Sequence, residues 1–406
     1  MRGRNRGLLS EIAGGLGDSG LLIPIAMAMV ALNGLNATAV FTGAGLVYCA
    51  TALHFRVPVP VQPLKAFGAA AIALQLDAAT IAAGAVLMAL SMAALWASGL
   101  AGWLAERFPV VLVRGIQASV ALLLCKAAIE LALRGNWAGL PPIDPAIGLA
   151  IAVGACGVLF ASRAMRFPGT LVVLGLGAAL GLAVGGPPGE LRAGPEPVSL
   201  ALPAGEDLAV ALSSLVLAQL PLTFGNSIVA TVDAERSYFG RRAERVRPGA
   251  LALSIGLANG LAGLTQGLPV CHGAGGVTAH YKLGARTWRA TFSIGVLLIV
   301  LGLALGGAVP ALLALLAPPA LAGMLLFVGI QHGLLAATLE RPGERALAAA
   351  VGMITLVSGN LAIGFAVGAA ALLARGAWRR IAGAPDEVAG APIAEAGGAR
   401  LARQDG

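Results

Sequence analysis

The chain has 406 residues, of which 58% are hydrophobic and only 11% are charged, and its mean hydropathy is +0.86. No soluble domain of this length needs so much apolar surface for its core, so the composition predicts a protein buried in a membrane. The formal net charge of +8 does not indicate nucleic acid, because Lys and Arg stand in short clusters without interleaved aromatic residues. The four cysteines show no paired spacing, so neither a disulfide framework nor a metal or cofactor site is predicted.

The apolar runs predict helices long enough to cross a hydrocarbon layer, which takes about twenty residues. In chain order, the first half holds seven predicted spans, at 11–32, 38–54, 58–76, 79–104, 110–133, 146–162 and 168–186. The second half holds seven more, at 208–233, 249–266, 268–283, 290–308, 319–338, 345–358 and 360–374. The predicted fold is all-α and polytopic. Its predicted parts are a cytoplasmic N-terminus at 1–10, seven-span repeats at 11–186 and 208–380, an extracytoplasmic linker at 187–207 and a disordered cytoplasmic tail at 381–406.

Basic residues mark one side of the predicted spans, as expected if cytoplasmic loops collect Lys and Arg. With a cytoplasmic N-terminus, that side receives nearly all the loop charges, and only Arg134 and Arg192 fall on the other side. The sequence therefore predicts a multi-pass protein of the inner, or plasma, membrane with both termini in the cytoplasm. Because each half holds an odd number of spans, the two halves enter the membrane with opposite orientation.

Two short matches relate the halves. Pro60-Val61 in the third span recurs as Pro269-Val270 in the tenth, and the Gly-Ile-Gln at 115–117 in the fifth recurs at 329–331 in the twelfth. The two separations are nearly equal, and both pair span n with span n+7. The sequence therefore predicts an inverted repeat of seven plus seven spans.

The third and tenth spans cannot be helical throughout. Three prolines alternate within residues 57–63, and a proline pushes the preceding residue toward extended geometry, so helix starts only near Leu64. From there to Leu76 the chain reaches about 18 Å as a helix, which is half a membrane. The tenth span repeats the design, with a Gly-rich stretch at 267–276 before a short helix. Each span is predicted as an extended segment and a half-helix, and the two half-helices begin head to head near the midplane.

Two facing helix starts predict an anion site, because helix N-termini present unpaired N–H groups and the positive end of the dipole. Lys65 lies in the first turn of the first half-helix, where its charge costs about 3 kcal/mol or more unless a negative group is present. An oxyanion substrate satisfies both features. The predicted substrate-binding residues are Asp18, Gln62, Pro63, Lys65, Asn226, His272, Gly273, Gly275 and Gly276.

Several of these residues also have a structural interpretation. Lys65 could pair with Asp18, which lies in a Gly-rich interruption of the first span, and His272 could be a satisfied core histidine. Asn226, which the repeat places opposite that interruption, could simply bond helix to helix.

Polar residues also occur in the fifth and twelfth spans. Gln117 and Gln331 could line a passage or bond helix to helix. Lys126 and Glu130 are one turn apart and are predicted to form an ion pair.

Four motifs together resemble the molybdate transporter family, a branch related to the sulfate permeases. They are Gly17-Asp18-Ser19-Gly20 with Ile23-Pro24, PVQPLKA from Pro60, VRGIQ from Val113 and PVCHGAGG from Pro269. The resemblance implies the seven-plus-seven inverted-repeat fold shared with nucleobase transporters. Spans one, three, eight and ten would then line the substrate site, and spans five and twelve, with Arg114, Gln117 and Gln331, would belong to a gate. The short segment after Arg380 favours the molybdate branch, since sulfate permeases usually carry a regulatory domain there.

The resemblance also implies a secondary active transporter, not an enzyme, that imports a tetrahedral oxyanion, molybdate before sulfate. Transport is expected to be coupled to protons and to proceed by alternating access, with His272 or Asp18 carrying the proton. The expected partners are molybdate or sulfate, protons and membrane lipid, with a homodimer as the candidate assembly and no nucleic acid.

Two other functions fit parts of the sequence. A passive anion channel would share the same site. An intramembrane serine protease would use Ser19 of a Gly-x-Ser-Gly pattern with His272 or His332 as the base, but four residues are a weak match in a Gly-rich chain. No HExxH, Walker A or dinucleotide fingerprint occurs in the sequence, so metal hydrolysis and ATP-driven pumping are unsupported.

Overall fold

The computed structural model describes Glu11, Gly15 and residues 19–103, 109–133, 144–165, 169–185, 191–200, 202–336 and 338–381. Among these residues, seven helices are long and apolar enough to cross a membrane, and four shorter apolar helices accompany them. The described helices fall where the apolar runs predict spans.

The first half consists of helices whose bounds lie within a few residues of the predicted spans wherever the span is regular. They are α1 (Ser19–Asn33), α2 (Ala37–Phe55), α3 (Lys65–Ala73), α4 (Ala78–Ser98), α5 (Val110–Leu133), α6 (Pro145–Met165) and α7 (Gly169–Gly185). Local signals set several ends. Asn36 and Asp77 cap α2 and α4 by accepting backbone hydrogen bonds three residues on, and Gly99 ends α4 with a left-handed φ of 70°.

The second half repeats the pattern. Helix α8, whose segments run from Gly205 to Phe239, is followed by α9 (Pro248–Thr265), α10 (Ala274–Leu283), α11 (Trp288–Leu305), α12 (Pro318–Ala336), α13 (Pro342–Ser358) and α14 (Leu361–Ile381). A 3₁₀ turn at Gly306–Ala308 and a short helix at Val309–Leu315 join α11 to α12.

Helix α8 is continuous but changes its winding twice. Its α-helical segments Gly205–Ala211, Leu217–Leu222 and Ala230–Phe239 are joined by π-helical segments at Leu212–Val216 and Thr223–Val229. A π-helical turn inserts an extra residue and rotates the side chains that follow, which is a frequent arrangement at functional sites.

Helix packing follows the two-fold relation expected of an inverted repeat. Helix α2 packs on α11 and α4 packs on α9, and these two pairs exchange when span n is replaced by span n+7. The packing of α5 on α13 and of α6 on α12 exchanges in the same way, while α5 and α12 pack on each other. Tertiary packing therefore agrees with the internal repeat read from two short motifs.

Small residues permit the closest of these contacts. A Cβ on Gly45 of α2 would lie 2.6 Å from the Gly295 carbonyl oxygen of α11, and Gly295 faces Gly45 equally closely. In lipid, such small-residue contacts allow backbones to approach and strengthen van der Waals packing.

Candidate anion-binding site

The two extended segments of the third and tenth spans meet as a short antiparallel pair. Strand β1 (Gln62–Pro63) pairs with β2 (Val270–Cys271), with Gln62 opposite Cys271 and Pro63 opposite Val270. The Leu64 N–H then donates to the Pro269 carbonyl at 3.0 Å. The pairing satisfies backbone N–H and C=O groups that would be costly to leave unpaired inside a membrane. It also brings the starts of α3 and α10 together.

The start of α3 is held by a residue that the sequence analysis missed. Gln219 of α8 is 1% exposed, and its Oε1 accepts the Phe67 N–H at 3.0 Å while its Nε2 donates to Thr223 Oγ1 at 3.0 Å. Leu64, the N-cap of α3, supplies no side-chain cap of its own. The amide of Gln219 thus fixes the half-helix against α8. A lone glutamine in an apolar run was the signal available in the sequence.

Three predicted site residues from three separate spans converge at Gly273, the N-cap of α10. A Cβ at this position would overlap Gln62 Oε1 and lie 3.1 Å from Asn226 Nδ2. Asn226 lies in the second π-helical segment of α8, whose altered winding sets the direction of its side chain. Gln62, Asn226 and the Gly273 backbone therefore form one cluster at the half-helix start.

The first turn of α10 shows which glycines are free to face a ligand. The Gly276 N–H donates to the Gly273 carbonyl at 3.0 Å, so this predicted binding group is engaged within its own turn. A Cβ on Gly275, by contrast, would meet nothing within 4 Å. The structure therefore leaves open space beside Gly275, at the positive end of the helix.

Pro63 has a structural place in this site. It is buried in β1, and its carbonyl oxygen accepts a long contact from Cys271 Sγ at 3.8 Å. Asn259 of α9 supports the opposite strand, because its Nδ2 donates to the Val270 carbonyl at 2.7 Å. Asn259 was not among the residues predicted for the site.

His272 is 1% exposed, and both of its ring nitrogens are engaged. Nδ1 lies 2.8 Å from the Pro60 carbonyl oxygen and Nε2 lies 3.0 Å from Ser254 Oγ. Because a carbonyl only accepts, Nδ1 carries the hydrogen, and in the neutral ring Nε2 accepts from the Ser254 hydroxyl. This geometry ties the extended segments to α9 and favours a positioning role over the predicted role of proton carrier.

Substitution of His272 separates those two roles. His272→Ala is expected to lower the stability of the detergent-solubilised protein by about 1–3 kcal/mol, because the buried Pro60 carbonyl loses its donor. His272→Asn supplies a donor near the Nδ1 position and should lose less. Thermal unfolding and transport in vesicles measure both effects, and both variants should keep the wild-type response to a pH gradient. If His272→Asn stays folded but loses that response, the proton-carrier hypothesis stands.

Lys65 is the first residue of α3 and is partly exposed. Asp18, its predicted alternative partner and the second predicted proton carrier, lies outside the described residues.

His332 of α12 lies within electrostatic range of Lys65. Its Nδ1 is 3.0 Å from the Val328 carbonyl oxygen, and its buried Nε2 has no hydrogen-bond partner in the described part of the chain. From the sequence, His332 was predicted only as a candidate protease base, and no pattern indicated that it lies within electrostatic range of Lys65.

The predicted gate residues lie on α5 and α12, which pack along each other. Arg114 Nη1 donates to Gln117 Oε1 at 2.8 Å, one turn apart on α5, and Gln117 is buried. Gln331 is half-buried on α12, next to His332. Further along α5, Lys126 Nζ lies 3.8 Å from Glu130 Oε1, which confirms the predicted ion pair.

A separate cavity of about 720 Å³ lies between α2, α4 and α9. Its walls are mostly apolar, and Ser254, the partner of His272, forms part of them. Gln62, Asn226 and Gly273 do not line it, so it is not the anion site. Across the described ranges, no three His, Cys, Asp or Glu side chains are grouped to hold a metal ion.

Comparison with known families and proteins agrees with this geometry. The profile of the family described as "Molybdate transporter of MFS superfamily" matches residues 10–124 and 211–331. The chain is 24% identical to Molybdate transporter 2 of Arabidopsis thaliana, over 89% of this chain and 86% of that protein. It is 27% identical to Molybdate transporter 1 of Chlamydomonas reinhardtii, over 88% of this chain and 90% of that protein.

Two solved structures share the fold. The transmembrane domain of a cyanobacterium bicarbonate transporter, BicA, superposes with a TM-score of 0.66 at 19% identity, over 90% of this chain and 98% of that domain. Murine Solute Carrier 26 family member A9, an anion transporter in the inward-facing state, superposes with a TM-score of 0.64 at 14% identity, over 93% of this chain and 70% of that one. The predicted all-α, seven-plus-seven inverted-repeat fold with two half-helices is confirmed.

Proposed function

The chain belongs to the molybdate transporter family, and from this membership we propose that it is a secondary active transporter that imports molybdate. It is a membrane anion transporter and not an enzyme, so the protease hypothesis is set aside. Sulfate is the next candidate substrate, because it shares the tetrahedral shape of molybdate.

The convergence of Gln62, Asn226 and Gly273 at the facing half-helix starts carries this proposal. A tetrahedral oxyanion placed beside Gly275 accepts hydrogen bonds from amide side chains and lies at the positive end of α10. Lys65 supplies a full positive charge from the start of α3. In a site shielded from water, a charge-assisted contact of this kind is stronger than a neutral hydrogen bond.

The proposed mechanism is alternating access, with the helices divided into a core and a gate. Helices α1, α3, α8 and α10 form the core that carries the anion, and α5 and α12 belong to the gate, with Arg114, Gln117 and Gln331. The core rocks against the gate and exposes the site to one side at a time. In this proposal Lys65 belongs to the core and His332 to the gate, and the two lie within electrostatic range of each other.

Coupling to protons is part of the proposal on energetic grounds. Each elementary charge moved across the membrane is worth about 2.3 kcal/mol per 100 mV, so a dianion entering an inside-negative cell meets roughly twice that cost. A proton that enters with the anion cancels one charge and adds the driving force of the pH gradient. A passive channel would instead equilibrate the anion with the membrane potential.

The proposed orientation places both termini in the cytoplasm of a cell whose inner, or plasma, membrane holds the protein. Within the described residues, the segment between α8 and α9 contains four arginines, Arg241, Arg242, Arg245 and Arg247. The start of α13 contains two more, Arg341 and Arg345. Cytoplasmic loops collect such charges. The homodimer stays a prediction.

Uptake of radiolabelled molybdate into proteoliposomes tests the function. Wild-type protein is expected to take up molybdate, to accumulate it when an inward proton gradient is imposed, and to lose label when unlabelled sulfate competes. Molybdate accumulation that depends on the membrane potential alone, and is unchanged by the pH gradient, would favour the passive-channel hypothesis. Vesicles that take up neither anion would contradict the proposed function.

A further inference from the structure

The apolar cavity between α2, α4 and α9 is a groove with exposed apolar side chains at its rim. Its volume of about 720 Å³ falls within the range of pockets that bury a small molecule, roughly 300–1,000 Å³. Leu46 of α2 and Leu257 of α9 are exposed at the rim, whereas Val47 and Phe55, which also line the groove, are buried. All three helices are long and apolar enough to cross a membrane. Such walls exclude a hydrated ion and indicate an apolar occupant.

The length of this α2–α9 groove corresponds to one leaflet of a bilayer. The groove extends along α9 from Gly249 to Leu261, which is about 18 Å of helix. A hydrocarbon core of about 30 Å gives each leaflet about 15 Å. Further along the same two helices, the next void, lined by Gly43 and Thr265, holds only about 10 Å³. The groove therefore starts at one membrane surface and ends near the midplane, as a site for a single acyl chain would.

The end of the groove at the start of α9, here called its mouth, is basic. Arg247 lines the mouth, and its Nε donates to the Glu244 carbonyl at 3.0 Å, so the Nη groups of the guanidinium can face a ligand. Arg245 lies beside it, because its Nη1 donates at 3.1 Å to the carbonyl of His54, another residue of the groove. Glu244, the acidic residue between α8 and α9, pairs with Arg241. The mouth therefore complements an anionic headgroup such as a lipid phosphate.

Trp96 of α4 marks the level of the mouth in the membrane. Its side chain is half-exposed, and a Cβ on Gly249 would lie 3.8 Å from Trp96 Cδ1. Tryptophan is enriched at the level of the lipid headgroups, where its ring meets both water and hydrocarbon. A headgroup at this level can contact Arg247 while its acyl chain enters the groove.

Two residues of the groove wall also contact His272, which supports the anion site. Ser254 Oγ lies 3.0 Å from His272 Nε2, and the Phe55 ring meets the imidazole edge-on with centroids 6.2 Å apart. His272 Nδ1 in turn binds the Pro60 carbonyl, in the extended segment that leads into β1. An acyl chain in the groove would pack against the same two residues from the other side.

We propose that the α2–α9 groove binds one acyl chain of an anionic phospholipid, with the lipid phosphate on Arg247, and that this lipid stabilises the anion site through His272. The effect on the anion site rests on the proposed transport function, whereas lipid binding does not. In the proposed orientation the lipid comes from the cytoplasmic leaflet, which holds anionic lipids. A second copy of this chain fits the groove less well, because a two-fold contact would bring the same arginines together.

Lipid titration of the detergent-solubilised full-length protein, followed by native mass spectrometry, tests the binding. Phosphatidylglycerol and phosphatidylcholine with identical chains are compared. The wild type is expected to bind one phosphatidylglycerol per chain saturably, roughly tenfold more tightly than phosphatidylcholine. Arg247→Gln should lose this preference. Arg241→Gln removes an exposed charge from the same loop but not from the groove, so it is the matched control and should keep the preference.

A second variant tests the groove itself. Ala50 is an exposed residue of its α2 wall, so the ring added in Ala50→Phe fills the groove and should weaken the binding of both lipids. Ala371→Phe, at an exposed position of α14, is the control, and thermal unfolding without lipid checks that both variants are folded. Equal affinity of the wild type for the two lipids, or wild-type binding by Ala50→Phe, would overturn the inference. A change from dimer to monomer in Ala50→Phe with unchanged lipid affinity would assign the groove to a second copy and also overturn it.

Molybdate uptake tests the effect of the lipid on the anion site. Vesicles of phosphatidylcholine alone are compared with vesicles that also contain phosphatidylglycerol. Phosphatidylglycerol is expected to raise uptake several-fold for the wild type and Arg241→Gln, and to leave uptake by Arg247→Gln unchanged. Equal wild-type uptake in both vesicles would overturn the proposed link to the anion site. Saturable phosphatidylglycerol binding by a wild-type protein that transports no oxyanion would instead contradict the proposed function and leave the lipid site standing.

Discussion

Lys65→Ala is expected to lower molybdate uptake by roughly 100-fold, because loss of a charge contact worth about 3 kcal/mol changes an equilibrium by that factor. Lys65 starts α3 and is partly exposed, so the substitution opens no large cavity in the core. It also removes a like charge from a helix start, so the stability of the empty protein should not fall. Initial rates of radiolabelled uptake and thermal unfolding, measured on the same preparation, check both expectations.

Lys126→Ala is the matched control for this experiment. Lys126 is half-exposed and pairs with Glu130 on α5, and exposed pairs of this kind contribute about 0–1 kcal/mol. Uptake by this variant should stay near the wild-type rate. Lys65→Arg should retain part of the activity, since the charge stays but the shape changes. Equal uptake by wild type and Lys65→Ala would remove Lys65 from the site.

Gly273→Ala is expected to raise the KM for molybdate by roughly tenfold to 100-fold. The added Cβ overlaps Gln62 Oε1 and approaches Asn226 Nδ2 at 3.1 Å, so both side chains must leave their positions. Gln62 is 1% exposed and has little room to move, and overpacking of this kind costs about 1–3 kcal/mol. The φ of Gly273 is −164°, which any residue adopts, so the effect is steric.

Three further variants identify the cause. Gly154→Ala on α6, where a Cβ meets nothing within 4 Å, should leave uptake unchanged. The Cβ added in Gly275→Ala also meets no protein atom within 4 Å, so this variant should keep the wild-type thermal stability. It should nevertheless bind molybdate more weakly, because the Cβ occupies space that the anion needs. Gly273→Ala combined with Gln62→Ala removes the overlap, and it should recover stability without recovering affinity. Wild-type KM in Gly273→Ala would show that this cluster does not bind the anion.

Regular spans could be predicted from sequence with accuracy because composition alone defines them. Helix α5 runs Val110–Leu133, as predicted, since a long apolar run is bounded by polar residues at both ends. The break in the third span was equally readable, because prolines act locally on backbone geometry. Once the motifs at Pro60 and Pro269 were matched, the repeat implied that each packed helix pair has a counterpart in which span n is replaced by span n+7.

Other features depend on tertiary contacts that leave no periodic pattern. The two π-helical segments of α8 and the pairing of β1 with β2 are set by packing, and no residue pattern marks a π-helical turn or identifies the partner of a two-residue strand. Gln219 and Asn259 were missed because a single polar residue in an apolar run does not reveal its partner. His272 was predicted to carry the proton because an imidazole titrates near neutral pH. Its two hydrogen-bond partners, Pro60 and Ser254, are distant in sequence and could not be predicted from it.

Equilibrium binding of molybdate to the purified protein tests the central claim most directly, namely that an oxyanion binds between the starts of α3 and α10. The wild-type protein should bind molybdate saturably, with one site per chain and competition by sulfate. Lys65→Ala and Gly273→Ala should each weaken binding by at least about tenfold, while Lys126→Ala matches the wild type. Equal affinity in all four proteins, or no saturable binding by the wild type, would contradict the account.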